Sequence, residues 1–232
     1  MQSAVELEQL RYSWNKSDPV ISVADFSLNR GERLLITGAS GSGKSTLLNL
    51  LGGIIRPDQG RISLLGEDIT KLSPSEIDRF RADNTGFIFQ QFNLLPYLNL
   101  IENVMLPCHF SGKRSAAASQ KFGSVEAEAR HLLERLGLAD QSLQEQAVNE
   151  LSTGQQQRVA AARALIGQPG IIIADEPTSA LDGQNSDQFM QLLCEQCHAA
   201  GATLILVSHD LSLAPHFNRV EELTLMGRGT QT

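Results

Sequence analysis

Short apolar runs alternate along the chain with longer stretches in which apolar residues recur at helical spacing. Three of the runs, Arg33–Thr37, 171–174 and Thr203–Val207, are almost continuously apolar or β-branched. Such runs are typical of parallel strands that are buried on both faces. The helical patterns begin at Lys44, at about Gln184 and around residues 126–136. This alternation predicts an α/β fold.

Other parts of the chain depart from this alternation. The N-terminal part up to Arg30, together with residues 60–65, predicts antiparallel strands on one edge of the core. Residues 91–167 lack strong strand patterns and predict an inserted helical subdomain. Within them, residues 111–124 are small, polar and basic, and we expect a mobile surface loop there.

Composition and charge exclude several classes of protein. Of 232 residues, 41% are hydrophobic and 19% are charged, as in ordinary globular proteins. The formal net charge of −7 argues against a nucleic-acid partner, which usually meets a basic surface. The N-terminus has no leader pattern, and no run approaches the roughly 18 apolar residues of a membrane helix. We therefore expect a cytoplasmic protein that reaches a membrane only through a partner.

The three cysteines, Cys108, Cys194 and Cys197, are sparse and odd in number, which does not fit a disulfide framework and indicates a reducing compartment. Residues 194–198 match the C-x-x-C-H spacing of covalent haem attachment. The alternative is an amphipathic helix over residues 186–200 that buries both cysteines on one face. We favour the helix, because the chain shows no export signal and no second pair of metal ligands.

Residues 38–45 read GASGSGKS and fit the phosphate-binding pattern G-x-x-x-x-G-K-[ST] between an apolar strand and a helix. Glycines let successive backbone N–H groups point inward, and the helix start adds its positive dipole end. Lysine can reach the β- and γ-phosphates, the serine after it can ligate Mg²⁺, and the next threonine can contact the α-phosphate. The candidate nucleotide ligands are Gly38, Ser40, Gly41, Ser42, Gly43, Lys44, Ser45 and Thr46.

The apolar run at residues 171–174 ends in two carboxylates, Asp175 and Glu176. A carboxylate at the end of such a strand lies on the Mg²⁺ side of the bound phosphates. The adjacent glutamate can accept a proton from the attacking water. Together with residues 38–45, these positions predict a P-loop NTPase core that binds ATP and Mg²⁺.

Residues 151–158, LSTGQQQR, resemble the signature motif LSGGQ of ABC ATPases. Gln90 ends a Phe-Ile-Phe-Gln run and resembles the Q-loop glutamine, residues 179–182 resemble the D-loop, and residues 208–210 resemble the switch-histidine region. The motifs follow in the family's order along essentially the whole chain. The resemblance implies one ABC ATPase domain over residues 1–232. Its expected parts are a RecA-like core with a parallel sheet and an antiparallel β edge (1–90 and 168–232) and a helical subdomain (91–167).

The resemblance also implies a dimer that holds two ATP molecules between its subunits. Ser152, Gly154 and Gln155 of one subunit would then contact the nucleotide that is bound by the P-loop of the other. The remaining implied roles are Mg²⁺ or water sensing by Gln90, γ-phosphate binding by His209, which also orients Glu176, and coupling of the two sites by Asp182.

Two positions are less regular. Thr153 replaces the first glycine of the usual signature pair, and because a β-branched residue disfavours positive φ, we expect helical or extended backbone there. Family members stack an aromatic ring on adenine, and both Tyr12 and Trp14 qualify. The spacing to the first predicted strand of the core favours Trp14.

Residues 86–96, 100–104 and 106–107, together with residues 47–53, resemble the lipoprotein-releasing and macrolide-exporter branch of the family. That branch implies a separate transmembrane permease, with a periplasmic adaptor as a further candidate partner, at the cytoplasmic face of the inner membrane. Residues 92–105 would receive the permease. Two alternatives remain open: an ABC ATPase that assists a process other than transport, and the ATPase of an importer.

Overall fold

The computed structural model describes residues 2–15 and 19–223. Its strands are β1 (Ser3–Tyr12), β2 (Ile21–Asn29), β3 (Arg33–Thr37), β4 (Gln59–Leu64), β5 (Glu67–Asp68), β6 (Thr85–Ile88), β7 (Ile171–Asp175), β8 (Thr203–Val207) and β9 (Arg219–Glu222). Its helices are α1 (Lys44–Leu51), α2 (Pro74–Asn84), α3 (Leu100–Phe110), α4 (Gly112–Phe122), α5 (Val125–Arg135), α6 (Gln141–Gln144), α7 (Thr153–Leu165) and α8 (Gly183–Ala200). Short 3₁₀ turns cover Val148–Glu150 and Leu211–His216.

The predicted α/β core is confirmed as a parallel sheet in the order β6-β7-β8-β3-β9. Successive side chains of one strand face opposite layers: Leu34 and Ile36 pack on the side of α1, whereas Leu35 packs on the side of α7 and α8. Burial on both faces explains why β3, β7 and β8 are almost continuously apolar. Each strand also ends at the same edge of the sheet, where the connecting loops meet.

The antiparallel strands are confirmed, but they form a sheet of their own, in the order β2-β1-β4-β5. Leu7 on β1 lies opposite Phe26 on β2 and Ile62 on β4. The three side chains belong to the same buried cluster as one face of the parallel sheet. The sequence predicted an edge, and the structure shows a second layer, because a sheet with one apolar face must cover that face with another element.

Residues 91–167 contain α3 to α7 and one 3₁₀ turn, without a strand. Their apolar residues, such as Leu133 and Val159, share a buried cluster with Leu35 and Ile88 of the parallel sheet. The segment is thus helical, as predicted, and packs directly on the sheet. The division of the chain into a core and a helical subdomain stays a prediction.

The prediction of a mobile loop at residues 111–124 is wrong, since this segment forms helix α4. The Ser111 hydroxyl caps its first turn by accepting a hydrogen bond from the Arg114 backbone N–H at 3.1 Å. Gly123 ends the helix with a φ of 86°, and the alanines between favour helix. The sequence pattern did not indicate a helix, because the buried residues of α4 are Arg114 and Ala118, and these two do not form an apolar stripe.

Arg114 attaches α4 to the rest of the protein and is only 2% exposed. Its guanidinium donates hydrogen bonds to the carbonyls of Thr85, Arg163, Ala164 and Ile166. Three of these carbonyls lie in or just after the last turn of α7. Carbonyls at the end of a helix have no backbone N–H partner within the helix. Burial lowers the pKa of Arg114 to about 10. An arginine from another helix thus caps the C-terminus of α7.

Helix α8 confirms the interpretation of residues 186–200 as an amphipathic helix. Cys194 and Cys197 are both buried on it, and the Cys194 thiol donates to the His216 carbonyl at 3.8 Å. Burial raises the pKa of Cys194 to about 11. Across residues 2–15 and 19–223, no helix is long and apolar enough to cross a membrane.

Replacing Arg114 with alanine is expected to lower the free energy of unfolding by about 2–4 kcal/mol, because several buried carbonyls lose their donor. Denaturant unfolding followed by circular dichroism measures the change. The matched control is Lys113→Ala, which removes an exposed contact from Nζ to Asn84 Oδ1 and is expected to cost less than about 0.5 kcal/mol. Equal stability of the two variants would contradict the capping role.

Candidate functional site

A cavity of about 640 Å³ lies where β3, β6, β7 and β8 end. Most of the predicted nucleotide, metal and catalytic residues line it. The lining residues are Trp14, Val20, Ser40, Gly41, Gly43, Lys44, Ser45, Thr46, Gln90, Asp175, Glu176 and His209. The sequence interpretation did not include Val20, which reads only as the residue before an apolar strand.

Gly43 and Lys44 define the shape of the loop between β3 and α1. Gly43 is the N-cap of α1 with a φ of 100°, and a Cβ atom on it would lie 2.9 Å from the Val20 Cγ1 atom. Only glycine fits both constraints. The Lys44 Nζ donates to the carbonyls of Gly38 at 2.8 Å and Ala39 at 3.1 Å. The ammonium group therefore lies over the loop, close to the phosphate position that the pattern predicts.

Gly38 and Ser42, two of the predicted nucleotide ligands, lie in the loop but are not part of the cavity wall. The Ser42 backbone N–H donates to the Ala39 carbonyl at 3.1 Å. A Cβ atom on Gly38 would lie 2.8 Å from the Ser42 hydroxyl. In this structure both residues maintain the turn of the loop.

Asp175 and Ser45 supply oxygen atoms beside Lys44. The pKa of Asp175 is raised above its usual value, mainly because the carboxyl group is buried. The hydrogen bond with Ser45 and the charge of Lys44 lower the pKa, but burial outweighs them. A carboxylate and a hydroxyl fit Mg²⁺, which is usually held by one or two protein oxygens together with phosphate oxygens. Among the described residues, no group of three His, Cys, Asp or Glu side chains could hold a metal ion. The donor set therefore suits a cation that arrives with a nucleotide.

Glu176 follows Asp175 with a φ of 46°, a left-handed conformation that is costly for a residue with a side chain. Its backbone N–H donates to the Val207 carbonyl at 2.9 Å. Its carboxylate lies 2.9 and 3.0 Å from His209 Nδ1 and accepts a longer hydrogen bond, 3.4 Å, from the Ser208 hydroxyl. Residues at the end of β8 thus hold the carboxylate at the end of β7.

Trp14 and Tyr12 differ in their access to the cavity. Trp14 is 57% exposed, lines the cavity and donates from Nε1 to the Thr46 hydroxyl at 3.4 Å. Tyr12 contacts Trp14 edge to face, with ring centroids 5.1 Å apart, and packs against the buried cluster of the antiparallel sheet. Of the two aromatic residues, Trp14 is therefore the one that a nucleotide base can reach.

The other predicted site residues lie in a second cavity of about 470 Å³, whose wall includes Ser152, Gly154, Gln155 and Asp182. None of the described residues lines both cavities. Ser152 caps α7 in a capping box, in which the Gln155 side chain accepts from the Ser152 N–H at 2.9 Å. Thr153 is the first residue of α7, which confirms the expected helical or extended backbone.

Gly154 and Asp182 have different roles within the single chain. A Cβ atom on Gly154 would meet only the Leu181 Cδ2 atom, at an ordinary 3.6 Å, so neither space nor backbone conformation requires glycine there. The Asp182 carboxylate caps α8 by accepting from the Asn185 N–H at 2.9 Å. The fold of one chain thus explains why residue 182 is an aspartate but does not explain why residue 154 is a glycine.

The parallel sheet and the P-loop cavity define a P-loop nucleoside triphosphatase. A family profile described as ABC transporter matches residues 21–179. The chain belongs to the ABC transporter family.

Relatives and solved structures agree with this family. The macrolide export ATP-binding/permease protein MacB of Shewanella sp. (strain W3-18-1) is 41% identical over 204 residues, covering 88% of this chain and 30% of that protein. MacB 2 of Aeromonas hydrophila subsp. hydrophila is 42% identical, covering 92% and 32%. The chain thus spans about a third of the length of these relatives. The dimeric post-hydrolysis structure of the ATP-binding cassette MJ0796 bound to ADP and Pi aligns with a TM-score of 0.81 and 34% identity, covering 94% of this chain and 93% of that one.

Asp175→Asn is expected to stabilise the nucleotide-free chain. Because burial raises the pKa of Asp175, the folded state holds the proton more tightly than the unfolded state. Ionisation therefore costs stability above the folded pKa, and the cost disappears as the pH falls. A neutral amide should raise the free energy of unfolding at pH 7 by about 0.5–2 kcal/mol, with a smaller gain in acid.

Denaturant unfolding at pH 7 and at acidic pH checks this prediction. The matched control is Asp25→Asn, a change of an exposed carboxylate on β2, which is expected to alter stability by less than about 0.5 kcal/mol. If Asp175→Asn were less stable than the wild type at pH 7, the buried charge of Asp175 would not be destabilising, and the prediction would be contradicted.

Proposed function

We propose that two copies of this chain bind two ATP molecules between them and hydrolyse them to drive a membrane permease. The observation that carries the proposal is the division of the site residues between two separate cavities of one chain. The first has phosphate, metal and base candidates, and the second has the signature residues. A second copy can bring its second cavity to the nucleotide that is held in the first.

In the first cavity, Lys44 and the backbone N–H groups at the start of α1 bind the phosphates. Ser45 and Asp175 would hold Mg²⁺, with Gln90 beside them. The bound cation would supply positive charge that offsets the charge of the nucleotide phosphates. Glu176 accepts the proton of the attacking water at its carboxylate.

The base and the γ-phosphate share one partner, His209. Its Nδ1 atom contacts Glu176 at 2.9 Å, so the ring fixes the direction of the base while its other edge is free to meet a phosphate. The Trp14 ring stacks on adenine, since it is the exposed aromatic residue of the cavity wall. These residues together form the hydrolytic half of the site.

The signature half presents the start of α7, where Ser152 and Thr153 are exposed and the Ser152 hydroxyl accepts a hydrogen bond from the Gln155 N–H at 3.4 Å. Such a helix start attracts an anionic γ-phosphate. Gly154, which the fold of one chain does not require, leaves room for close approach of that phosphate. Gln155 supports the cap, and Asp182 lies beside it at the start of α8. The dimeric form of the MJ0796 cassette supports this arrangement.

A groove of about 380 Å³ beside the Gln90 loop is the candidate permease site. Phe87, Phe89, Pro107 and Phe110 are among its lining residues, and Phe110 is 79% exposed. Relatives whose names combine ATP-binding and permease functions support a membrane permease as the partner. The proposed activity is export or mechanical work at the cytoplasmic face of the inner membrane, with a periplasmic adaptor as a further partner.

Glu176→Gln is expected to bind MgATP with nearly unchanged affinity and to hydrolyse it about 10²–10⁴-fold more slowly, since the amide cannot take the proton. Phosphate release measures turnover, and quenching of the single tryptophan, Trp14, measures binding. The control is Glu67→Gln, an exposed carboxylate on β5, with turnover like that of the wild type. Wild-type turnover of Glu176→Gln would contradict its role as the base.

The same variant, tagged and incubated with ATP, tests the proposed partner in membranes of the source organism. A permease with a large extracytoplasmic domain, recovered with ATP and lost when Phe110 is changed to Asp, is the expected result. A permease found with a solute-binding protein would indicate an importer. Recovery of no membrane protein would contradict the transport proposal and favour an ABC ATPase of another process.

A further inference from the structure

The loop that carries Gln90 contains two residues in an unfavourable backbone conformation. Phe92 has a φ of 57° and Asn93 a φ of 51°, both in the left-handed region that residues with side chains avoid. Two such residues in succession persist only where other contacts fix them. Because Gln90 lies two residues earlier and lines the nucleotide cavity, whatever fixes this turn also fixes Gln90.

Arg163 of α7 contacts this turn, in addition to the backbone hydrogen bonds from the Phe92 N–H to the Phe89 carbonyl and from the Asn93 N–H to the Gln91 carbonyl. Its guanidinium donates to the Asn93 carbonyl at 2.7 Å through one terminal nitrogen and to the Phe92 carbonyl through the other. A planar guanidinium can bond two successive carbonyls at once, and charge-assisted hydrogen bonds are stronger than neutral ones. Among the described residues, the ion pairs do not include Arg163. These carbonyls are therefore the main polar partners of its charge.

The position of Arg163 links this turn to the signature end of the same helix. Helix α7 begins next to Ser152, and Gln157, a fully buried residue one turn into the helix, donates from Nε2 to the Pro177 carbonyl beside Glu176. One rigid helix thus contacts the loop of the metal-sensing glutamine and the loop of the base. The two loops therefore share one supporting helix.

We propose that Arg163 is a positioning residue for ATP hydrolysis, which holds the turn at Phe92 and Asn93 and so places Gln90 in the nucleotide cavity. The inference rests on the proposed function, because it assigns Arg163 a role only through Gln90. Arg163 itself does not line the nucleotide cavity. Loss of Arg163 should therefore change turnover and leave nucleotide affinity almost intact.

The test is a double-mutant cycle in the full chain with Arg163→Ala, Gln90→Ala and the combined variant. Arg163→Ala is expected to lower kcat about tenfold, with KM for ATP and the quenching of Trp14 by MgATP changed less than about twofold. If Arg163 acts through Gln90, the combined variant should be no slower than Gln90→Ala alone. Arg163→Lys, which keeps the charge but not the two-pronged geometry, should restore part of the loss and serves in the cycle if the alanine variant does not fold.

The matched control is Arg130→Ala, which removes an arginine of α5 that contacts Glu126 and Gln144 and lines neither cavity. Its turnover should equal that of the wild type. The role of Arg163 would be overturned if the combined variant lost turnover by the product of the two single losses. Wild-type turnover of Arg163→Ala, or of Gln90→Ala, would also overturn it. A wild-type chain that neither binds nor hydrolyses ATP would instead overturn the proposed function, and the role of Arg163 with it.

Discussion

The site depends on the parallel pairing of β6, β7, β8 and β3. In a parallel sheet every strand ends at the same edge, so the pairing of Ile36 with Val207 and of Asp175 with Val207 brings three loops together. The P-loop follows β3, Glu176 follows β7, and His209 follows β8. The continuous apolar character of these strands, which reflects burial between two layers, therefore also determines where the chemistry takes place.

Backbone strain is present at this edge, as it is elsewhere at Gln9, Leu65 and Gln168. Glu176, Phe92 and Asn93 all have left-handed backbones without being glycine. Glu176 lines the nucleotide cavity itself, and Phe92 and Asn93 lie two and three residues after Gln90, which also lines it. The surrounding elements offset this cost through specific contacts: His209 and Val207 hold Glu176, and Arg163 holds the other two. Arg114 in turn caps the end of α7, so a helix at the surface contributes to the rigidity of the site.

Features with strong local requirements could be predicted from the sequence. The P-loop needs glycine at Gly43 because both φ and space demand it, and a buried parallel strand needs an unbroken apolar run. Features that depend on tertiary contacts could not be predicted. Helix α4 buries an arginine, a residue type that normally indicates an exposed position. Val20 lines the cavity only because β2 packs beside the P-loop. The residues that meet in the contact from Arg163 to the Gln90 loop are 70 positions apart in the sequence. The antiparallel strands could be predicted from the sequence, but their position in a separate layer could not, because it depends on how the two sheets pack.

The central claim is that the two cavities of one chain belong to two different ATP sites of a dimer. The most direct measurement mixes two inactive variants, Lys44→Ala and Gly154→Asp, in equal amounts and follows phosphate release. In a mixed dimer, one site combines the intact P-loop of one copy with the intact signature segment of the other. The account predicts that the mixture hydrolyses ATP clearly faster than either variant alone. A mixture as inactive as its components would contradict it.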